Sequence, residues 1–278
     1  MTTKPIVVGT DGSAQAVRAV EWAAREAVLR GAPLRIVSAA EMPPRMSAPP
    51  PGSGVETVAT RLTADRDAAL TAGAAAAAAA APGVAIETLA VDGPPAQAII
   101  GRGADALMVV VGSDGGGAFA AMALGSVSRY AAVHAACPVV VIRAEPSGTD
   151  RVVVVGIRSP EDCGPAIEFA FEEAHLRQAS LLAVHAWQFI RDSGGAEQAA
   201  AALEAALSDC RVKYQDVSAT SEVVHGHPGR VLADLSARAD LVVLGRHGGS
   251  ARLVPGPARV VHAVVSHAHG PVATVPSA

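Results

Sequence analysis

The residues best placed for chemistry gather in VVVGSDGGGAFAAMALGSVSRY, Val109 to Tyr130, where a hydrophobic run ends in glycines and Gly125-Ser126 follows ten residues after Gly115. Glycines at Gly112 and Gly115 let backbone N–H groups approach an anion with no Cβ in the way. A Gly-Ser pair opening a helix adds the unsatisfied N–H groups and dipole of the helix start, which favour a phosphate. Ser126 and Ser128 bring hydroxyl donors, and Asp11, in IVVGTDGS, brings a carboxylate suited to Mg²⁺ on a polyphosphate or to a ribose hydroxyl. The pattern is not a Walker A loop, since no Gly-Lys-Ser/Thr occurs, and its glycine spacing is not that of the dinucleotide fingerprint. Each piece alone has a plainer reading: glycines after strands make turns, and a serine or aspartate at a helix start is a cap. What favours the phosphate reading is that the pieces fall at matching ends of two predicted strands.

Those strands belong to a pattern written twice. Gly9 matches Gly156, Glu26 matches Glu173, Arg30 matches Arg177 and Ala39 matches Ala186, all 147 positions apart. Further on, Gly93 matches Gly226, Pro95 matches Pro228, Gly112 matches Gly245, Gly115 matches Gly248 and Pro138 matches Pro271, all 133 apart. The change of offset means that the first repeat carries an insertion, which the Pro-rich EMPPRMSAPPPGSG from Glu41 supplies as a long loop. AEPSGTDR, Ala144 to Arg151, reads as the linker. The spacing predicts domains over 1–145 and 151–278.

Each repeat alternates strand and helix. Ile6–Gly9 is an unbroken apolar run, as in a strand buried on both faces. Ser13 is a candidate N-cap, Val17, Val20, Ala24 and Ala27 recur at helical spacing, and Gly31 ends the helix. Leu34–Ala39 is the second strand. The run Ala74–Ala81 is read as the end of a helix beginning near Val55, because alanine is the best helix former. Val84–Val91, a short helix at Pro95–Gly103, a strand at Leu107–Val111, a helix at Gly125–Ala135 and a strand at Val139–Ile142 complete the repeat. Strands joined by helices give a doubly wound α/β layer, here two in tandem.

Composition narrows the partners. The net charge of −4 and an aromatic content of 3% disfavour nucleic acid, which needs basic surface or stacking platforms. Three scattered cysteines without CxxC spacing point to reduced thiols rather than zinc or disulfides. The opening MTTKPIVVG carries no visible signal peptide, and no apolar run is long enough to span a bilayer, so a cytoplasmic protein without membrane attachment is expected. The nine histidines meet no Cys or carboxylate at a ligand spacing, so no metal site is expected from them. No GxSxG elbow or paired catalytic carboxylate stands out, so the expectation is a binding protein, not an enzyme.

The motif Gly112-Ser-Asp-Gly115, nine residues, Gly125-Ser126, together with VVGTDGS, SVSRYAAVHAACPVVVIR, ADLVVLGRHGG and SHAHGPVATVP, resembles the tandem-domain universal stress proteins of high-GC actinobacteria over nearly the whole chain. That resemblance implies two Rossmann-like five-stranded parallel sheets in the order 3-2-1-4-5. It implies ATP binding, with Asp11 near the ribose or Mg²⁺, Ala39 near adenine, and Gly112, Gly115, Gly125, Ser126 and Ser128 at the phosphates. Gly9, Thr10, Val111 and Val127 complete the expected binding set. It also implies a role in the stress response, and pairing through the Val-rich last strands, either between the repeats of one chain or in a homodimer.

The chain departs from that pattern in two places. Asp114 stands where the family usually has Arg or His, and a carboxylate there repels phosphate unless a metal intervenes. The second repeat has Arg158 at the Asp11 position and Ala258-Arg259 at the Gly125-Ser126 position, so nucleotide is expected mainly in the first repeat. The alternative function is an interaction protein of the same fold that binds no nucleotide.

Overall fold

The computed structural model describes residues 3–41, 58–113, 125–143, 150–158, 164–187, 193–246 and 257–277. By contact density the chain divides into two compact units, Met1–Cys137 and Pro138–Ala278.

In the first unit, β1 (Ile6–Gly9) lies between β2 (Leu34–Ala40) and β4 (Met108–Gly112), and β3 (Ile86–Asp92) lies outside β2, all parallel. The order is therefore 3-2-1-4. The unbroken apolar runs have the expected consequence: Ile6, Val7, Val8, Met108, Val109 and Val110 are wholly buried, each large side chain contributing about 1.5–3 kcal/mol. Helix α1 (Ala14–Arg30) starts as its sequence predicts, with Ser13 Oγ accepting from the Ala16 N–H at 3.2 Å, and stops at Gly31. The alanine run is helical: α2 spans Val58–Ala80 and ends ahead of Pro82-Gly83. Helix α3 (Pro95–Ile100) is shorter than expected and is followed by a 3-10 turn at Gly103–Asp105; α4 covers Ser126–His134.

The second unit opens with β5 (Val139–Ile142) and continues with β6 (Val152–Gly156), α5 (Gly164–Arg177), β7 (Ser180–Trp187), α6 (Ser193–Lys213), β8 (Ala219–His225), α7 (Pro228–Leu235), β9 (Leu241–Arg246), α8 (Pro257–His267) and β10 (Val272–Pro276). The second repeat's own strands run β8-β7-β6-β9-β10, the expected 3-2-1-4-5 order. The last strand of the first repeat, β5, belongs to this unit and pairs antiparallel with β10, Val139 opposite Thr274 and Val141 opposite Val272. Among the described residues no helix is long and apolar enough to cross a membrane.

Two features fix how helices meet strands. A Cβ on Gly112 would lie 3.1 Å from the carbonyl carbon and oxygen of Gln15, so the end of β4 rests directly on the α1 backbone. A Cβ on Gly9 would lie 2.5 Å from Ile99 Cδ1, so the end of β1 rests on α3. The second feature is a buried ion pair in each repeat. Glu26 is 1% exposed on the core side of α1, and its Oε1 accepts from Arg30 Nε at 2.6 Å. Glu173 and Arg177 repeat the pair on α5. The sequence offers Glu26 and Glu173 only as repeat markers; the apolar face of α1 in fact shifts to include Glu26 while Val17 is half-buried.

Two outcomes follow for stability in urea. Arg30→Ala, which leaves the Glu26 carboxylate buried beside a missing cation, lowers stability by about 3–5 kcal/mol, and replacing both residues with leucine recovers most of that loss. A double variant as unstable as the single one refutes the ion-pair account. Gly112→Ala costs about 1–3 kcal/mol, because the new methyl meets backbone. Gly9→Ala costs less, because its methyl meets the tip of one isoleucine, and the reverse ranking contradicts this packing.

Candidate functional site

The carboxyl ends of β1, β2 and β4 and the start of α4 enclose a cleft of about 220 Å³. Doubly wound sheets bind ligands at this place. Gly9, Thr10, Asp11, Ala39, Val111, Gly112, Gly125, Ser126, Val127 and Ser128 all border it. Of the residues expected from sequence, only Gly115 is missing from that set; it and Asp114 lie outside the described residues. Ala16, Pro95 and Ile99 also line the cleft and were not anticipated. Their signal was present but indirect: Ile99 follows Pro95 by one helical turn, and it sits opposite the repeated Gly9.

The polar geometry refines each residue's part. Asp11 is exposed, and its Oδ1 accepts from the Ser13 N–H at 2.9 Å, closing a turn that leads into α1. Thr10 is buried; its N–H donates to the Val37 carbonyl at 2.9 Å and its Oγ1 accepts from the Gly12 N–H at 3.2 Å. The Gly125 N–H donates to the Ser113 carbonyl at 2.7 Å. The Ser128 hydroxyl, 1% exposed, lies 3.0 Å from the carbonyl oxygens of both Ser113 and Gly125. Ser128 thus ties the start of α4 to the end of β4 and does not present its hydroxyl to solvent. Ser126 is exposed, and no side chain caps the helix. The first N–H groups of α4 have no intrahelical partner, so the positive end of its dipole opens on the cleft.

Apolar walls complete it: Ala39 from β2, and Pro95 and Ile99 from α3. Such a cleft, apolar at one end and lined with N–H donors and one carboxylate at the other, suits a ligand with a flat apolar part and an anionic tail.

The second repeat keeps the scaffold and changes the chemistry. A Cβ on Gly156 would lie 2.7 Å from Leu232 Cδ1, the same close approach as Gly9 to Ile99. The glycine therefore serves packing even where the other residues are lost. Ile157, 3% exposed, replaces Thr10, and exposed Arg158 replaces Asp11. Helix α8 opens with Pro257, and Arg259, at the Ser126 position, is exposed. Gly248 and Pro255 lie outside the described residues. Among the described residues no group of three His, Cys, Asp or Glu side chains gathers to hold a metal ion.

The universal stress protein family model matches residues 2–143 and again 151–276. The chain is 34% identical over 280 residues to universal stress protein Rv2624c of Mycobacterium tuberculosis, covering 99% of this chain and 97% of that one. Universal stress protein Rv2623 of the same organism is 33% identical over 266 residues, covering 87% and 86%. Among solved structures, a universal stress protein from Archaeoglobus fulgidus superposes with a TM-score of 0.70 at 17% identity, over 99% of this chain and 97% of that one. With two matched copies spanning nearly its whole length, the chain belongs to the universal stress protein family.

Proposed function

We propose that the chain is a nucleotide-binding regulator of the stress response, holding ATP in the cleft of its first repeat. The observation that carries this reading is the convergence of ten expected residues on one cleft that opens on an uncapped helix start. The N–H groups of Ser126, Val127 and Ser128 take the phosphates, Ala39, Pro95 and Ile99 take the base, and Asp11 faces the ribose or an Mg²⁺ ion. A single exposed carboxylate fits Mg²⁺, which is commonly held by one or two carboxylates plus the phosphates and keeps several waters. When bound, the ion neutralises phosphate charge. The protein acts in the cytoplasm, as a homodimer, by binding and not by catalysis. Gly112 and Gly115 were expected to approach phosphate; for Gly112, contact with Gln15 already requires the absence of a Cβ.

A second reading, an interaction protein that binds no nucleotide, draws support from Ser128 and Gly125, whose hydroxyl and N–H are engaged by the chain itself. Nucleotide released on denaturing gently purified protein, identified by chromatography, separates the two readings.

Gly125→Val gives a sharper test. Gly125 sits at φ −59° and ψ 154°, which any residue adopts, so valine introduces no backbone strain while its branched side chain stands at the helix start. The variant stays folded by circular dichroism and loses about 10²–10⁴-fold in ATP affinity, equivalent to two charge-assisted hydrogen bonds. Unchanged affinity in the folded variant removes the phosphates from α4. Calorimetry with ATP and Mg²⁺ gives one nucleotide per chain, weakened by Asp11→Ala and indifferent to Arg259→Ala; two equal sites, or sensitivity to Arg259 alone, would assign binding to the other repeat.

A further inference from the structure

The second unit contains a cavity of about 280 Å³ on the α6 side of its sheet. In the first unit, Gly9 faces α3, whereas Ile36, which pairs with Val8, touches Gly73 of α2. Neighbouring strand residues point to opposite faces, so α2 and α3 cover opposite faces. The cavity lies under α6, the counterpart of α2, with Ile157, His185, Ala199, Ala202 and Leu203 on its walls and Gln198 at an exposed position.

Comparison of the repeats shows how the space arises. Helices α2 and α6 end at Ala80 and Lys213, and the next strands start at Ile86 and Ala219, so the two segments align residue by residue. At that register buried Leu70 matches buried Leu203, but Leu62 and Arg66 are replaced by Gly195 and Ala199, both of which line the cavity. Arg66 spans to Asp92 at 2.6 Å across its repeat, a side chain that Ala199 cannot supply. On β7, His185 replaces the buried Ser38 of β2.

His185 gives the cavity a directed polar group. Its Nδ1 lies 2.9 Å from the Ile157 carbonyl. A carbonyl only accepts, so Nδ1 carries a proton, and in the tautomer with no second proton Nε2 is an acceptor. Among the described residues no Asp, Glu, Lys or Arg side chain lines the cavity, which favours an uncharged ligand. Cavities of about 150 Å³ already hold a benzene ring, and this one is larger. Mostly apolar walls with a few placed polar groups are the usual make-up of a small-molecule site.

We propose that this cavity binds a small uncharged aromatic molecule of one or two rings bearing a single O–H or N–H donor, received by His185 Nε2. The site is independent of the nucleotide reading.

The test titrates the full chain with phenol, indole and toluene, followed by the His185 ring signals in NMR and by calorimetry. Phenol and indole shift the His185 signals and bind about tenfold more tightly than toluene, the effect of one hydrogen bond. His185→Ser, the first repeat's residue, abolishes that preference. Ala199→Arg and Gly195→Leu, which restore the bulk of the first repeat, each abolish binding of all three probes in chains that remain folded by near-ultraviolet circular dichroism, with ATP titration unchanged. The proposal is overturned if neither phenol nor indole binds the folded wild-type chain, if toluene binds equally, or if binding survives Gly195→Leu.

Discussion

At Gly9 and Gly112 two strand ends come so close to a helix that neither has room for a Cβ, Gly112 against the α1 backbone and Gly9 against the Ile99 side chain. The Gly112 contact sets the end of β4 against the first turn of α1, and the Gly9 contact sets the end of β1 against α3. Everything at the cleft inherits its position from these two approaches. With β4 drawn against α1, Ala16 becomes a wall of the cleft and Asp11 stands at its rim; with α3 drawn against β1, Pro95 and Ile99 close the opposite side. Parallel strands supply this arrangement without dedicated residues, since their carboxyl ends all finish on one edge where connecting loops gather.

The second repeat separates what the fold requires from what the site requires. Gly156 survives there because Leu232 occupies the place of Ile99, so the glycine is retained by packing. The Glu173–Arg177 pair survives for the same kind of reason, since a buried carboxylate without its arginine is costly. Thr10, Asp11 and Gly125-Ser126 have no packing duty of that kind, and they are the positions where the second repeat carries Ile157, Arg158 and Ala258-Arg259. Duplication thus acts as an internal control: Gly9 and Glu26, shared with Gly156 and Glu173, report packing common to both repeats.

That distinction also explains what the sequence discloses. Strand and helix types and the two repeats were legible because unbroken valine runs, a serine cap and glycine stops are local signals, whereas the 3-2-1-4-5 order and much of the cleft set came from the family resemblance. The inward turn of Ser128 was not, because a serine two residues into a helix looks the same whether it faces a ligand or a carbonyl at the end of β4. The burial of Glu26 was hidden too: its charge suggests solvent, and only its position one turn before Arg30 hints at a pair. The seam of β5 with β10 was expected through the resemblance, as pairing of the Val-rich last strands; its antiparallel register was not, since no short-range pattern encodes pairing of strands more than a hundred residues apart. Pro95 and Ile99 entered the sequence reading only as helix, since their place beside the cleft is set by a contact with Gly9.

The inward hydroxyl of Ser128 bears on how the helix start would serve a ligand. The Ser113 carbonyl receives the Gly125 N–H at 2.7 Å and lies 3.0 Å from the Ser128 hydroxyl, so one oxygen at the end of β4 anchors both the residue before α4 and its third residue. The strand end therefore holds the helix start at two points, and Ser126, Val127 and Ser128 border the cleft. Ordering a loop on binding costs about 0.5–1.5 kcal/mol per immobilised side chain, and a pre-anchored start avoids part of that cost. The two donors that the chain consumes internally are withheld from a ligand, which favours the reading without nucleotide, whereas the anchoring they provide favours the proposed anion site. Under the proposed function, three backbone N–H groups whose direction is set before the ligand arrives outweigh one hydroxyl.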